Sequence, residues 1–333
     1  MDRRRFLKYA AVGSAIAGSA LAGYEFSRLQ TSLAPTSVST ATKSKTLSET
    51  ITETVRLVSV YGRFFFDYNG NGKQDGEEPA VVGASVQLRD DAGSIVAEAL
   101  TDSSGDYTLE DVRTGSYKLH VEADKKFRYM CTSADEFRVV SDAYAISLQG
   151  STSLNIGLME GFLTLPFVSG THAELYSYFD HDPAPGKVKN YLGDTTLAAW
   201  PKHQPGTFDG HQGIDWNLPL GTNLVASAPG EVIEVAENER GGKYIDLLHP
   251  NNMVTSYGHD SKVLRNKGEW VERGDVVAFS GDSGWPGHFH IHWALFREGK
   301  PGDYNTGVDP FRDVFGDSEG YWTKENDPQY SAT

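Results

Sequence analysis

The 333-residue sequence is poor in cysteine, in positive charge and in helical periodicity. Its one cysteine, Cys131, has no partner for an intramolecular disulfide, and a lone thiol of this kind is expected to be buried. Lysine and arginine number 30 against 45 aspartate and glutamate, which gives a formal net charge of −15. This balance argues against a nucleic-acid partner, which requires a basic face, and against attraction to anionic membranes.

Residues 1–22 combine a pair of arginines with a short apolar run. Arg3 and Arg4 precede Phe-Leu-Lys, and the apolar residues 9–22 fall short of the roughly 20 needed to span a bilayer. The segment resembles a twin-arginine export signal with a candidate cleavage site at 20–22, and an uncleaved basic anchor is the alternative. This resemblance implies the twin-arginine export machinery as a partner. It also implies an extracellular, periplasmic or cell-wall location, with membrane contact only through an uncleaved signal.

Residues 23–56 are predicted to be a flexible linker. Serine and threonine account for 13 of the 24 residues from 31 to 54. Such a segment buries too little apolar surface to offset its ordering entropy. It is either a spacer between the membrane face and the first domain or a tail with no spacing role.

Residues 57–160 are predicted to form a β-sandwich. Short β runs, such as the alternating residues 84–89, are separated by turn residues such as those at 90–93. Several strands at this spacing are typical of a sandwich.

Residues 161–316 are predicted to form a second, β-rich domain. Helical periodicity is weak there too, so the whole chain is assigned to the all-β class. Nine of the ten histidines lie between His172 and His292. Residues 165–201 are expected to extend this domain and wall its site, and residues 317–333 to form a frayed polar tail.

A twelve-residue acidic loop lies in the first domain between two segments with strand character. Its oxygen donors have the spacing of a Ca²⁺-binding loop, with glycine at the sixth position. Because strands and not helices flank the loop, it is interpreted as a structural staple, and an acidic turn that binds nothing tightly is the alternative. The candidate calcium ligands are Asp67, Asn69, Asn71, Lys73 through its carbonyl, Asp75 and Glu78.

The first domain resembles the serine-aspartate-repeat B-type modules of Gram-positive surface proteins and related carboxypeptidase-regulatory-like sandwiches. The resemblance covers about residues 57–160 and implies a rigid spacer or stalk without enzymatic activity. A surface adhesin in which the sandwich carries the function is an alternative. The matching segments are residues 67–78, 83–88, 101–107 and 115–117.

The second domain places imidazoles and a carboxylate at spacings suited to a metal. In an extended segment His211 and Asp215 share one face, and Gly213 leaves room between them. With His292 they would supply three protein ligands and leave one position open for water, which is the arrangement of a catalytic zinc site. His259 remains near such a site to handle the proton or the developing oxyanion.

The same role falls to His290, which projects from the same side of its predicted strand as His292. A second His-x-His pair, His288 with His290, overlaps the first. The residues alone leave the choice between these two pairs open.

These residues resemble the lysostaphin/LytM-type zinc endopeptidases of bacterial cell walls, over about residues 200–312. The family pattern is His-x-x-x-Asp, then Tyr-x-His, then a glycine-rich turn into His-x-His. The resemblance implies a β-rich fold with a groove across an antiparallel sheet, Zn²⁺ as the cofactor and peptidoglycan as the substrate. In the family the glycine-rich turn is followed by five residues and then the catalytic histidine, so the turn at 281–284 implies His290 and His292 as the pair that faces the metal. Carried over by position, the zinc ligands are His211, Asp215 and His292, and the catalytic pair is His259 and His290.

The sequence therefore predicts an exported zinc-dependent endopeptidase that hydrolyses stem or cross-link peptides of a cell wall. The alternative is a non-catalytic module that binds cell-wall peptides or regulates another hydrolase. His288 and Phe289 stand where the family usually has glycine and proline, which bears on groove shape and substrate choice rather than on the metal. His249 is expected to be structural, and His181 is a further candidate to reach the site.

Overall fold

The computed structural model describes residues 38–42, 52–76, 78–133, 135–168, 170–198, 206–284, 287–311 and 320–323. The described residues divide into two compact units, one ending at Glu160 and the other beginning at Gly161. Strands make up nearly all of the regular structure in these ranges, so the all-β prediction is confirmed. The predicted signal at 1–22 and His203 lie outside the described residues. Within those ranges, no helix has the length and apolar character needed to cross a membrane.

The described part of the N-terminal unit is built from two sheets. Its strands are β1 (Val38–Thr42), β2 (Thr52–Phe66), β3 (Ser85–Arg89), β4 (Ile95–Leu100), β5 (Asp106–Arg113), β6 (Gly115–Glu122), β7 (Tyr129–Thr132), β8 (Asp135–Val139), β9 (Tyr144–Leu148), β10 (Thr152–Ser153) and β11 (Ile156–Met159). One sheet has the order β1-β2-β11-β7-β8, with β5 and β10 also paired to β2. The other sheet has the order β4-β3-β6-β9.

Alternating side chains from both sheets meet in one core. In β5 the buried Tyr107 and Leu109 alternate with more exposed neighbours, the pattern of a strand with one solvated face. Leu88 of β3 and Phe64 of β2 come from different sheets and are both fully buried in this core. Full burial of such a side chain contributes about 1.5–3 kcal/mol. The predicted β-sandwich is thus confirmed, and Cys131 is buried in the same unit.

The predicted flexible linker at 23–56 is wrong for residues 38–42 and 52–56, which form paired strands. β1 pairs antiparallel with the start of β2, from Val38 opposite Arg56 to Thr42 opposite Thr52. Serine and threonine content predicted the spacer, but threonine is β-branched, as is valine, and such residues favour extended pairing when a strand edge is available.

The C-terminal unit contains a nine-stranded and a three-stranded sheet in its described part. Its strands are β12 (Glu174–Tyr178), β13 (Gly206–Thr207), β14 (Ile214–Asn217), β15 (Asn223–Val225), β16 (Gly230–Asn238), β17 (Gly242–Leu248), β18 (Val254–Asp260), β19 (Lys262–Val263), β20 (Trp270–Val271), β21 (Val276–Phe279), β22 (His290–Phe296) and β23 (Gly307–Val308), with a 3₁₀ turn at Tyr304–Thr306. The large sheet has the order β13-β12-β14-β22-β18-β17-β16-β20, with β23 paired to β22, and the small sheet has the order β15-β21-β19.

Strand alternation sorts the large sheet into a core face and a face that carries the candidate site. Ile291, Trp293 and Leu295 of β22 are fully buried on the core face. His290 and His292 alternate with them and therefore project from the opposite face. The strands of this sheet are mostly antiparallel, which matches the predicted peptidase architecture.

The expectation of a frayed tail is wrong for residues 320–323. The N–H of Phe162 and that of Leu163 both donate to the Tyr321 carbonyl at 2.9 Å, and Trp322 is 4% exposed. The Trp322 ring lies 5.1 Å from that of Trp293. Two aromatic side chains within a polar stretch bury enough apolar surface to hold this short segment against the unit.

Candidate metal centre and active site

Three side chains from separate elements converge at the centre of the large sheet. His211 lies in the turn before β14, Asp215 lies in β14 and His292 lies in β22. Asp215 and His292 are directly opposite each other in the antiparallel β14–β22 pair. Directly paired residues have their side chains on the same face, so the strand register brings the two together.

The three donor atoms form a nearly equilateral triangle. His211 Nε2 is 3.1 Å from Asp215 Oδ1 and 3.0 Å from His292 Nδ1, and His292 Nδ1 is 2.9 Å from Asp215 Oδ1. Donor atoms about 2.0–2.2 Å from one tetrahedral zinc ion lie about 3.3–3.6 Å from one another, so a small outward shift of this triangle would admit the ion. Within the described part of the chain, these three side chains form a group that could hold a metal ion.

Gly213 leaves the space between the ligands open. A Cβ atom at this position would lie 2.6 Å from His292 Cε1 and 2.6 Å from the Trp293 carbonyl oxygen. Any side chain here would displace the His292 ring, so the cluster requires glycine.

Hydrogen bonds fix the tautomer of His211. Its Nδ1 is 2.8 Å from the Tyr178 carbonyl oxygen and 3.1 Å from Ser177 Oγ. A carbonyl only accepts, so Nδ1 carries the proton and Nε2 presents its lone pair to the cluster. This is the orientation that a metal-ligating histidine needs.

The charge states of the cluster also suit a cation. Burial alone would raise the pKa of Asp215, but the adjacent His211 and His292 hold that pKa well below its usual value. Burial lowers the pKa of His292 and keeps its ring neutral. Burial alone would lower the pKa of His211, but the adjacent Asp215 carboxylate raises it above its usual value. Metals bind ionised carboxylates and neutral imidazoles, so a metal ion would have to displace the proton from His211 whenever that ring is charged. The residues present therefore fit a zinc ion.

His259 and His290 lie together beside the cluster. Their ring centroids are 4.5 Å apart, and the His259 ring is 6.1 Å from that of His292. His259 Nδ1 donates to the Ser283 carbonyl at 2.8 Å, and His290 Nδ1 donates to the His288 carbonyl at 2.9 Å. Each ring therefore keeps Nε2 for proton transfer. Burial lowers the pKa of His290 to about 4, so this ring is neutral at neutral pH.

Sequence reasoning expected residues 165–201 to wall the site but did not assign the ring contacts that hold His290. The His288 ring stacks on that of His290 at 4.4 Å and meets the Tyr176 ring edge-on at 4.6 Å. Tyr176 belongs to β12, so the expected extension of the domain does contact the site. Nothing in the spacing of β12 marks it as part of a metal site, because its contacts depend on the β12–β14 register.

The remaining histidines have other contacts. His181 Nε2 is 2.7 Å from Asp309 Oδ2 and is not part of the His211 cluster. His249 is 1% exposed, and its two ring nitrogens lie 2.9 Å from the Pro229 carbonyl and 2.9 Å from Thr255 Oγ1. Its surroundings are those of a structural residue.

The acidic loop of the N-terminal unit satisfies its own oxygens. Asp67 accepts backbone N–H groups at 2.6, 3.2 and 2.8 Å, and Glu78 accepts two more at 2.8 Å. In the described residues its carboxylates do not form a metal-binding group of the kind seen at His211. The calcium prediction therefore gains no support. The other candidate ligands, Asn69, Asn71, Lys73 and Asp75, hydrogen-bond among themselves.

Fold and site together define an all-β protein of two units, the second with a preformed His-Asp-His cluster beside a histidine pair. Comparison with known families gives the same division. Peptidase family M23 matches residues 209–304, and the SdrD B-like domain matches residues 59–158. The chain thus carries a C-terminal domain of peptidase family M23 after an SdrD B-like domain.

Two curated relatives each match less than a third of the chain. The peptidoglycan DD-endopeptidase ShyA of Vibrio cholerae is 35% identical over 91 residues, which are 27% of this chain and 21% of ShyA. The uncharacterized lipoprotein YgeR of Escherichia coli is 31% identical over 107 residues, 31% of this chain and 39% of YgeR. The chain thus spans well under half the length of either relative. A solved catalytic-domain variant of the M23 protein EnpA from Enterococcus faecalis is 26% identical, covers 44% of this chain and 95% of that one, and has a TM-score of 0.32.

Proposed function

We propose that the protein is an exported, zinc-dependent endopeptidase that hydrolyses peptide bonds in the stem or cross-link peptides of peptidoglycan. The observation that carries the proposal is the triangle of His211, Asp215 and His292 beside the pair His259 and His290, within the segment that matches peptidase family M23. Relatives named as peptidoglycan DD-endopeptidases support the substrate class.

In this proposal His211, Asp215 and His292 hold the zinc ion. Zinc, when bound, would supply Lewis-acid chemistry and make water nucleophilic near neutral pH. The buried Asp215 lowers the net charge of the ion, and the hydrogen bond from His211 to the Tyr178 carbonyl keeps that ring in the ligating orientation.

His259 and His290 handle the proton and the charge of the attacked amide. Both rings have Nδ1 committed to a carbonyl, so Nε2 is the atom that takes a proton from water. Once protonated, the same Nε2–H donates to the oxyanion or delivers the proton to the leaving amine. Because the pKa of His290 is low, its ring is uncharged before the reaction and can accept a hydrogen bond. Once protonated, the same ring releases its proton readily.

Export by the twin-arginine route is part of the proposal, since the chain would then meet peptidoglycan outside the cytoplasm. The SdrD B-like domain would act as a spacer. Calcium has no part in the proposed mechanism.

The test uses the purified full chain on purified cell walls and on defined wall peptides, with fragments identified by mass spectrometry. We expect hydrolysis that stops with a chelator and returns with zinc. His211→Ala should lose zinc and activity together. His259→Ala should keep zinc and lose about 2.7–4 kcal/mol of transition-state stabilisation, the scale of an oxyanion donor. His172→Ala, at an exposed histidine, is the matched control and should change neither.

Two results would overturn parts of the proposal. Full zinc occupancy in His211→Ala would refute the ligand assignment. Zinc-loaded chain that binds walls but releases no fragments would favour the non-catalytic binding or regulating module over the enzyme.

A further inference from the structure

The match to peptidase family M23 begins at residue 209. His211, the first candidate ligand, is nevertheless hydrogen-bonded by residues that lie before residue 209. His211 Nδ1 contacts the Tyr178 carbonyl and the Ser177 hydroxyl, at 2.8 and 3.1 Å. Both residues belong to β12, and Ser177, which is fully buried, is directly opposite Asp215 in the β12–β14 pair. The segment before residue 209 thus contacts Nδ1 of His211, which sets the orientation of that ring. It also pairs with β14, the strand that carries Asp215.

Asp180 holds the backbone next to that ligand. Its N–H donates to the His211 carbonyl at 2.8 Å, and its Oδ2 accepts the Gly210 N–H at 2.8 Å. Its other oxygen, Oδ1, accepts the N–H groups of Asp182 and Lys189, both at 3.0 Å. Asp180 is 2% exposed, so these bonds are shielded from water. One buried carboxylate therefore ties the extension to the turn that carries His211.

We propose that Asp180 is a positioning residue for His211, and that residues 174–189 are an integral part of the metal site rather than only a wall beside it. The inference rests on the proposed zinc site. Hydrogen bonds to an ionised carboxylate are about twice as strong as neutral ones, so they can fix the peptide on the N-terminal side of His211. Gly210 has a φ of +69°, a conformation that few residues adopt, and the Asp180 carboxylate holds the turn in it.

The substitution Asp180→Asn should break the hydrogen bond to Gly210 and keep those to Asp182 and Lys189. An amide has one acceptor oxygen, and the orientation that keeps the most bonds directs this oxygen to the N–H groups of Asp182 and Lys189. The NH₂ group then faces the N–H of Gly210, and two donors repel each other. The variant should keep the extension folded and loosen the turn at His211. Loss of an outer-shell partner typically costs about 10–100-fold in metal affinity.

The experiment measures zinc affinity of the full chain by competition with a chromophoric chelator. We expect Asp180→Asn to bind zinc about 10–100-fold more weakly than the wild type. The matched control is Asp182→Asn, the same chemical change in the same segment. The Asp182 carboxylate accepts the Ala184 N–H at 2.9 Å and takes no part in the bond to Gly210, so the zinc affinity of this variant should stay at the wild-type value.

Urea unfolding of the metal-free chain gives a second readout. All six tryptophans lie after residue 161, so their fluorescence follows the C-terminal unit alone. A purely structural role predicts lower stability of Asp180→Asn with unchanged zinc affinity of the folded chain, and that result would overturn the positioning role. If Asp180→Asn does not fold, Ser177→Ala serves instead, with a smaller loss of affinity expected and unchanged affinity contradicting the proposal. A wild-type chain that binds no zinc would overturn the proposed function itself, whereas equal affinities of wild type and Asp180→Asn would overturn only the positioning.

Discussion

The buried carboxyl group of Asp246 should contribute a destabilisation of the C-terminal unit that grows as the pH rises from 3.8 to about 6. Asp246 lies in β17 and is 4% exposed, and its neighbours across the sheet are Ser256 in β18 and Glu234 in β16. Its pKa is raised from 3.8 to about 6, mainly by burial; a hydrogen bond from Ser256 opposes the rise and the negative charge of Glu234 adds to it. The perturbation that tests this effect is Asp246→Asn.

The sign follows from which state binds the proton more tightly. Below pH 3.8 the carboxyl is protonated in the folded and in the unfolded chain, and it costs nothing. Between pH 3.8 and about 6 the unfolded chain ionises first, so stability falls as pH rises. Above that window the penalty is constant. The difference of about 2.2 pKa values corresponds to about 3 kcal/mol of unfolding free energy.

Asparagine has the shape of the protonated carboxyl and never ionises. We expect Asp246→Asn to be about 3 kcal/mol more stable than the wild type at pH 8 and less than about 1 kcal/mol more stable at pH 4. The assay is urea unfolding in chelator, followed by tryptophan fluorescence, where such a gain moves the midpoint by about 1 M or more.

Asp282→Asn, at an exposed carboxylate, is the control and should change the midpoint at neither pH. The reasoning fails if Asp246→Asn gives the same stability change at pH 4 as at pH 8, or if it destabilises the unit at pH 8.

Three further predictions concern the same unit. Gly213→Ala should weaken zinc binding by at least about tenfold in the competition assay, since the added methyl group meets His292, and normal affinity would show that the ring can move aside. Burial lowers the pKa of His249 to about 4, so the neutral ring stabilises the fold above pH 6.5 and this contribution is lost as the pH falls towards 4. The unfolding free energy of His249→Asn should therefore fall by about 3 kcal/mol less than that of the wild type over this pH range, and an unchanged profile would contradict the assignment. Trp322→Ala should lower the unfolding free energy by about 3–5 kcal/mol, whereas a neutral effect would mean that the docked tail contributes nothing.

Much of the fold and the metal cluster follows from the period of two along strands. His290 and His292 alternate with fully buried neighbours, and that alternation alone puts them on one face. An extended segment is also expected to put His211 and Asp215 around the gap at Gly213, but His211 lies before β14 begins and reaches Asp215 from the turn. Their meeting with His292 depends on the β14–β22 register, which periodicity does not give, so the family resemblance was needed to choose among ten histidines.

The parts that could not be predicted depend on pairing partners far away in the chain. Residues 38–42 look like a disordered serine and threonine tract until the start of β2 is available as an edge. Residues 320–323 look like a polar tail until Trp322 finds the ring of Trp293. In both segments the local composition favours an unstructured chain, and a few tertiary contacts outweigh that preference.

His259 shows how far alternation alone would have misled. Tyr257 of β18 is fully buried on the core face, so a regular strand would turn Gly258 to the site and His259 back to the core. The pairing with β17 instead advances by three residues in β18, from Tyr257 to Asp260, for two in β17, which is a β-bulge. His259 takes a φ of +62° in this bulge, and its N–H donates to the Gly241 carbonyl at 2.9 Å. The extra residue turns the imidazole to the face of His290 and returns Asp260, with no exposed surface, to the core. The strained backbone at His259 is therefore the local cost of placing a second histidine beside the cluster of His211, Asp215 and His292, and such strain is typical of functional sites.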